Sequence, residues 1–363
     1  MNTREHTGTL VIGGGQAGLA VGHALAERGL PFIIVDANAR TGDAWRNRWD
    51  SLTLFTPNWA NSLPGMTIPG GAWDFPTKDE VADYLESYAQ YFELPIRRNT
   101  RVDGLTRDGG SFVATAGDAT IVADNVVVAM AAYQQQKVPA FGQELASDIV
   151  QLHVAEYRNP QQLRDGPVLI VGAGNSGAEI AMELVKTHEV LVSGPSTGAL
   201  PFRPHRLSGR ILMPFFAKVV LTRIMSKSTP IGRKVLPKKL HKGGPLLRVK
   251  PSDLQRAGVA RVARTVTVED GRPVLDDGAR LDVTNVVWCT GFDQGLSWLD
   301  LPVFDERGDV EHDRGVVESQ PGLYFTALKF QHSILSDALI AVGHDAAYVV
   351  DKLHERSMAT VPA

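Results

Sequence analysis

An α/β fold is what this sequence predicts, and three observations carry the prediction. Gly13-Gly14-Gly15-Gln16-Ala17-Gly18 and Gly172-Ala173-Gly174-Asn175-Ser176-Gly177 each follow an apolar, strand-like run and open a helix-like one. Asp36 stands about twenty residues beyond Gly15, at the end of the next strand-like run, where an acid can accept both ribose hydroxyls of an adenosine. Nearly continuous apolar runs at 121–129 and 283–288 read as strands of buried parallel sheets. A glycine turn of this kind points backbone N–H groups and a helix N-terminus at a pyrophosphate, and only glycine lets the main chain approach so closely. The reading is two Rossmann-like dinucleotide-binding domains. The first holds a flavin, the second, inserted into it, holds a nicotinamide, and hydride passes between them.

The elements follow in chain order. A short buried strand precedes the first turn, 19–28 reads as a helix closed by Gly29, and 31–35 is the second strand of the βαβ unit. Val81, Leu85, Tyr88 and Phe92 recur at helical spacing, and Thr77 with Glu80 makes a capping-box pattern, so a structural helix is expected between Thr77 and Leu94. The stretch 139–166 reads as a connection to the second domain. There 167–171, 178–187 and 189–193 repeat strand, helix and strand. The run 322–326 and a helix over 336–353 rejoin the first domain. The expected boundaries are 1–160 with 290–363 for the flavin domain and 161–289 for the nicotinamide domain.

Composition narrows the chemistry. A hydrophobic content of 44% argues against disorder, and a net charge of −3 gives no general reason to expect nucleic acid. No long apolar span or cleavable signal precedes the first turn, so the expectation is a cytoplasmic enzyme without an integral membrane segment. Cys289 is the chain's single cysteine, which rules out a Cys-x-x-Cys relay from flavin to a disulfide. It reads as a small buried side chain. No metal-spaced cluster and no Ser-His-Asp set stands out. Residues 190–252 hold 13 Lys and Arg and no Asp or Glu, interleaved with an apolar stretch at 211–225. This basic, greasy insertion near 200–250 has three readings: cofactor-phosphate binding, a lid over a lipophilic channel or membrane surface, or a solvated insertion.

With Gly42-Asp43-Ala44-Trp45, Leu54-Phe55-Thr56-Pro57, Phe75-Pro76-Thr77-Lys78 and Trp288-Cys289-Thr290-Gly291-Phe292 in order around the two turns, the chain resembles the two-dinucleotide-domain flavoproteins. Within them it is similar to the short bacterial flavin-containing monooxygenase-like proteins. The resemblance spans nearly the whole length. It implies FAD at Gly13, Gly15, Gln16, Ala17, Gly18 and Asp36, with Trp45, Val102, Ala129 and Ser336 also lining it. It implies NADPH or NADH at Gly172, Gly174, Asn175, Ser176 and Gly177, with Cys289, Thr290 and Gly291 nearby. Three departures stand out. Ala129-Met130-Ala131 replaces the usual Ala-Thr-Gly, which implies a stiffer hinge. Ser147 and Ile149 replace the Phe-x-Gly ahead of His153 and Tyr157, which makes His153 a hydrogen-bonding linker residue. Ser193-Gly194-Pro195 lacks the arginine that grips a 2′-phosphate. Ser193, Ser196 and Thr197 then hold ribose hydroxyls, or Arg203 or Arg206 reaches a phosphate, with the basic segment favouring NADPH.

The implied reaction consumes NAD(P)H and O2 and inserts one oxygen, through a flavin hydroperoxide, into a nitrogen, a sulfur or a ketone of a small lipophilic substrate. Thr56, Asn58, Lys78 and Gln331 are the candidates beside the flavin ring. Two alternatives stay open: an oxidase or reductase that releases hydrogen peroxide, and a redox-sensing flavoprotein without turnover. A homodimer is compatible with the sequence.

Overall fold

The structure is a computed structural model that describes residues 3–203, 207–239 and 243–360. Arg206, one of the two expected phosphate ligands, lies outside the described residues. The first sheet begins with β1 (Thr3–Ile12), which leads into α1 (Gln16–Glu27) and returns as β2 (Phe32–Val35). The short helix α2 (Asp43–Arg46) and the longer α3 (Lys78–Tyr91) follow, then β3 (Ile96–Arg97). A meander of β4 (Gly104–Asp108), β5 (Ser111–Ala116) and β6 (Ala119–Val128) brings the chain back beside β1. The strand order is β3-β2-β1-β6-β5-β4, with β1 and β2 parallel and β4, β5 and β6 antiparallel.

The chain then leaves this sheet. After β7 (Gln135–Gln136) it builds a second one from β8 (Val150–His153), β9 (Val168–Val171), β10 (Val190–Ser193), β11 (Ala260–Arg261) and, past a hairpin of β12 (Thr265–Glu269) and β13 (Arg272–Leu275), β14 (Asn285–Trp288). The order is β11-β10-β9-β14-β8, every pair parallel. β15 (Phe292–Asp293) pairs back onto β7, and β16 (Leu323–Phe325) rejoins the first sheet against β6. The second Rossmann-like unit is therefore inserted into the first.

α4 (Asn175–Leu184) follows the second glycine turn, and the basic segment folds as α5 (Leu207–Phe215), a π-helical stretch Phe216–Ile224 and α6 (Pro230–Lys239). The short α7 (Pro251–Ala257) leads to β11, and α8 (Leu339–Thr360) packs on α1. α3 shows how the elements hold. Its capping box at Thr77 and Glu80 contributes about 1 kcal/mol. Its buried Val81, Tyr84, Leu85 and Tyr88 contribute about 1.5–3 kcal/mol each, so packing decides. The tyrosine hydroxyls are satisfied as well: Tyr84 donates to Met66 O and Tyr88 to Pro64 O, both at 2.7 Å. This aromatic stripe is core and pins the loop before α3.

One element departs from expectation. The stretch 139–166 is more than a connection, because β8 within it forms an edge of the second sheet, ahead of the boundary placed at 161. An edge strand of four residues with only His153 buried carries no continuous apolar run to announce it.

A titratable cluster joins the insert to the returning chain. Lys227 N–H donates to His332 O at 2.8 Å, and Lys227 Nζ lies 3.5 Å from His312 Nε2. Burial and neighbouring cations push His312 down to about 3 and His332 to about 4. Both rings are neutral when folded, whereas in the unfolded chain they gain protons below about pH 6.5. The unfolded state then binds more protons, so stability falls as pH drops from about 6.5 toward 4. Thermal melts across that range are expected to show a falling midpoint, with a shallower fall in His312→Gln than in the wild type.

Candidate functional site

The two glycine turns share one backbone plan. Gly13 and Gly172 have φ of +108° and +117°, a conformation that only glycine adopts without strain. Gly13 N–H donates to Val35 O and Gly172 N–H to Ser193 O, each at 2.8 Å. A Cβ on Gly18 would overlap Gly13 O, and one on Gly177 would overlap Gly172 O, so each helix enters pressed against its own turn. Gly13 also abuts Ala129 O, and Gly172 abuts Cys289 O, the residues that follow β6 and β14.

The middle glycines behave differently. Gly15 (φ −80°, ψ −170°) and Gly174 (φ −78°, ψ −171°) are helix N-caps without any side-chain cap, and a Cβ on either would meet nothing within 4 Å. No protein atom requires glycine there. Open space in front of uncapped helix N–H groups is what a dinucleotide pyrophosphate needs, so both cradles fit the expected cofactors.

Around the first cradle, Asp36 Oδ2 accepts Gly14 N–H and Oδ1 accepts Asn38 N–H at 2.7 Å, which fixes the carboxylate and leaves lone pairs for a ribose. Gln16 Nε2 donates to Asp337 O at 3.3 Å and so ties the start of α1 to the lead-in of α8. Ala17 is buried in α1, and Val102 packs with Ile12 and Val35. Trp45 rests partly buried on the core. Ser336 Oγ is fully buried and accepts His332 and Ser333 N–H at 3.0 Å each, so it shapes this lead-in by holding its turn.

At the second cradle, Asn175 grips the segment after the insert: Nδ2 donates to Pro245 O at 3.0 Å and Oδ1 accepts Leu247 N–H at 2.9 Å. Ser176 lies on the first turn of α4. Of the residues expected near the ribose or its phosphate, Ser193 has a buried Oγ that donates to Ala263 O and accepts Thr265 N–H at 2.7 Å. The Arg203 guanidinium is bidentate to Asp253 at 2.7 and 2.8 Å. Arg261, on the adjoining strand β11, approaches the loop after Ser193. It is exposed, and its guanidinium donates to Gly194 O just past β10. Sequence reading missed it because parallel pairing, which sets Val192 beside Arg261, brings it from far along the chain.

The cradles share one hinge. Ala129 leads to β7 and Cys289 leads to β15, and these pair as a ribbon, Phe292 with Gln136 and Asp293 with Gln135. Each turn is thus anchored to one strand of the same ribbon, and no more than about 40 Å of chain separates them. His153 Nδ1 accepts Ala155 N–H at 3.2 Å, so Nε2 carries the proton and donates to Gly291 O at 3.0 Å. It is the linker residue expected. Thr290 Oγ1 donates to Lys137 O across the ribbon. Arg48 stands over the rings of Tyr133 (5.8 Å) and Phe292 (5.4 Å). Tyr133 is hydrogen-bonded to Asp337, and desolvation raises both groups, so Asp337 holds a proton above the usual carboxylate range. Packing pushes the Cys289 thiol up to about 12, which leaves it unreactive.

Of the four expected catalytic residues, Thr56, Asn58 and Lys78 come from two segments that pair with each other, Lys78 N–H donating to Leu52 O at 3.0 Å and Asn58 N–H to Asp74 O at 2.9 Å. Thr56 Oγ1 donates to Asn61 Oδ1 at 2.6 Å and closes its own loop. Asn58 is buried with Nδ2 on Pro69 O and Gly71 O, while its Oδ1 has no partner. The polar atoms of Lys78 and Gln331 are engaged by nearby protein groups. Lys78 Nζ donates to Arg46 O at 3.0 Å, capping α2, and Gln331 bridges Leu328 N–H and Arg314 O. Buried polar side chains find nearby backbone partners first, and sequence position does not reveal which.

The model of the pyridine nucleotide-disulphide oxidoreductase family matches residues 10–207. The chain belongs to this family. Within the pyridine nucleotide-disulphide oxidoreductases it is similar to an uncharacterized CzcO-like oxidoreductase of Geobacillus kaustophilus, 40% identical over 95% of this chain and 97% of that one. Another relative is the probable indole-3-pyruvate monooxygenase YUCCA9 of Arabidopsis thaliana, 28% identical over 80% of this chain and 76% of its own. In structure it is similar to the flavin-containing monooxygenase of Stenotrophomonas maltophilia, with a TM-score of 0.78 and 27% identity over 97% of this chain and 99% of that one. The protein is an NAD(P)H-dependent flavoprotein oxidoreductase of the flavin-monooxygenase type, with FAD and a nicotinamide dinucleotide as cofactors. Among the described residues no helix is long and apolar enough to cross a membrane.

The glycines separate folding from binding. Gly15→Ala is expected to keep the melting temperature of the cofactor-free protein while FAD binding, followed by flavin absorbance after desalting, falls at least tenfold. Gly174→Ala is expected to keep FAD and lose rapid reduction by NADPH. Gly18→Ala overlaps backbone and is expected to cost about 1–3 kcal/mol or more in a urea melt.

Proposed function

We propose that this protein is an NADPH-consuming, FAD-dependent monooxygenase that transfers one oxygen atom of O2 to a nitrogen, a sulfur or a ketone of a small lipophilic molecule. The observation that carries the reading is the pair of matching cradles anchored to one ribbon in a chain without a second cysteine. Two electrons collected from a nicotinamide have no dithiol within this chain to reach, and the proposed acceptor is O2. When bound, FAD supplies the hydride-accepting and oxygen-activating chemistry. The flavin-containing monooxygenase fold and the monooxygenase names of the relatives support the same conclusion.

The chain's own residues position and exclude water. Gly13, Gly15, Gln16, Ala17, Gly18 and Asp36 hold FAD, and Gly172, Gly174, Asn175, Ser176 and Gly177 hold the nicotinamide dinucleotide. Arg48, standing over the paired rings of Tyr133 and Phe292, covers the hinge side, where burial raises the Asp337 carboxyl above its usual range. A dry cleft protects the oxygen-activating step from water. Arg261 beside Gly194 grips the 2′-phosphate, which favours NADPH over NADH.

Anaerobic mixing with NADPH is expected to bleach the flavin, and readmitted O2 is expected to yield one oxygenated product per NADPH in the presence of an apolar amine, sulfide or ketone. Hydrogen peroxide equal to the NADPH consumed, whatever substrate is present, would instead establish an oxidase. Arg261→Ala is expected to raise KM for NADPH about ten- to a hundredfold, the size of a lost charge-assisted hydrogen bond, with KM for NADH unchanged.

A further inference from the structure

The basic insert has two unlike faces. From 207 to 224 the chain is helical without a break, α5 passing directly into the π-helical stretch. On the inward side Met213 and Ala217 are buried, and Phe216 meets Phe202 edge-on at 5.7 Å. Ser226 bridges to Ser333, which fastens the insert to the flavin domain. On the outward side Ile211 is 69%, Leu212 48% and Phe215 61% exposed. Ile211 and Phe215 stand one turn apart on the same face of α5. Arg210, Lys218 and Arg223 on the same helical run are exposed, as are Arg233 and Lys234 on α6. Among the described residues none of these five has a carboxylate partner at ion-pair distance. No acid occurs anywhere in 190–252 to offset them.

We propose that this outward face docks on an anionic lipid bilayer, so that the protein lies on the membrane surface without crossing it. Large apolar side chains facing water, ringed by cations only, are what an interfacial helix presents: the apolar groups enter the acyl boundary while the cations meet headgroup phosphates. Two tryptophans stand at the same edge. Trp59 and Trp73 form an edge-to-face pair at 6.0 Å, with Lys218 5.4 Å from the first ring and Arg210 5.8 Å from the second. Tryptophan and long-stemmed cations both favour the lipid–water boundary. A second copy of the chain fits this face less well, because two such faces would bring like charges together without a counter-charge. The proposal is independent of the oxygenation reading, since attachment needs no turnover.

Co-sedimentation of the FAD-loaded protein with phosphatidylcholine vesicles, with and without added phosphatidylglycerol, tests it. The wild type is expected to pellet with the anionic vesicles and to stay in solution with the neutral ones, and added salt is expected to release it. The double variant Ile211→Glu/Phe215→Glu and, separately, Lys218→Gln/Arg223→Gln are each expected to bind at least tenfold more weakly. Both keep flavin absorbance and the rate of flavin reduction by NADPH, which shows that they are folded. Failure of the wild type to pellet with anionic vesicles overturns the proposal, as does undiminished pelleting of the folded variants. Sedimentation velocity without lipid covers the remaining occupant: a wild-type dimer that becomes monomeric in Ile211→Glu/Phe215→Glu, with no vesicle binding by either, assigns the face to self-association.

Discussion

Backbone pressed on backbone without a side chain between is the constraint from which the rest of this molecule follows. At Gly18 and Gly177 a helix starts so close to its own turn that one methyl group would overlap a carbonyl. At Gly172 a methyl group would likewise overlap Cys289 O, and at Gly13 it would press against Ala129 O. These contacts fix the direction of α1 and α4, and that direction leaves the N–H groups at Gly15 and Gly174 facing open space. The binding surface is therefore a consequence of tight packing behind it. Separate glycines serve the two purposes.

The ribbon of β7 and β15 links the two cradles. Ala129 and Cys289 are at once the back wall of a cradle and the lead-in to a ribbon strand. His153 on Gly291 and Thr290 on Lys137 brace that link. The resemblance implied a stiffer hinge at Ala129-Met130-Ala131, and the cross-ribbon hydrogen bonds add restraint of their own. Chemistry by a bound flavin asks the protein mainly for such positioning.

What sequence reading of the site left out are the partners that each polar side chain finds in the fold. Ser193, Lys78 and Gln331 occupy plausible places along the chain, yet each is buried, and a buried polar group takes whichever backbone or hydroxyl partner lies within reach. Arg203 was consumed by Asp253 in the same way. Arg261 and Arg48 carried no local signal, because what makes them noteworthy is contact with Gly194 in one case and with Tyr133 and Phe292 in the other.

The sequence by itself determined the two turns, the strand-and-helix alternation around them, the capping of α3, the insertion of one unit into the other and the absence of a dithiol. All of these are local: they depend on glycine conformation, apolar periodicity or residue count, which can be read over a few neighbouring positions. Only the tertiary structure decided that β8 belongs to the second sheet, that the cradles meet at a common ribbon, and which polar side chains remain available to a ligand. Those depend on partners brought from distant parts of the chain, and one-dimensional order does not encode who reaches a buried donor first.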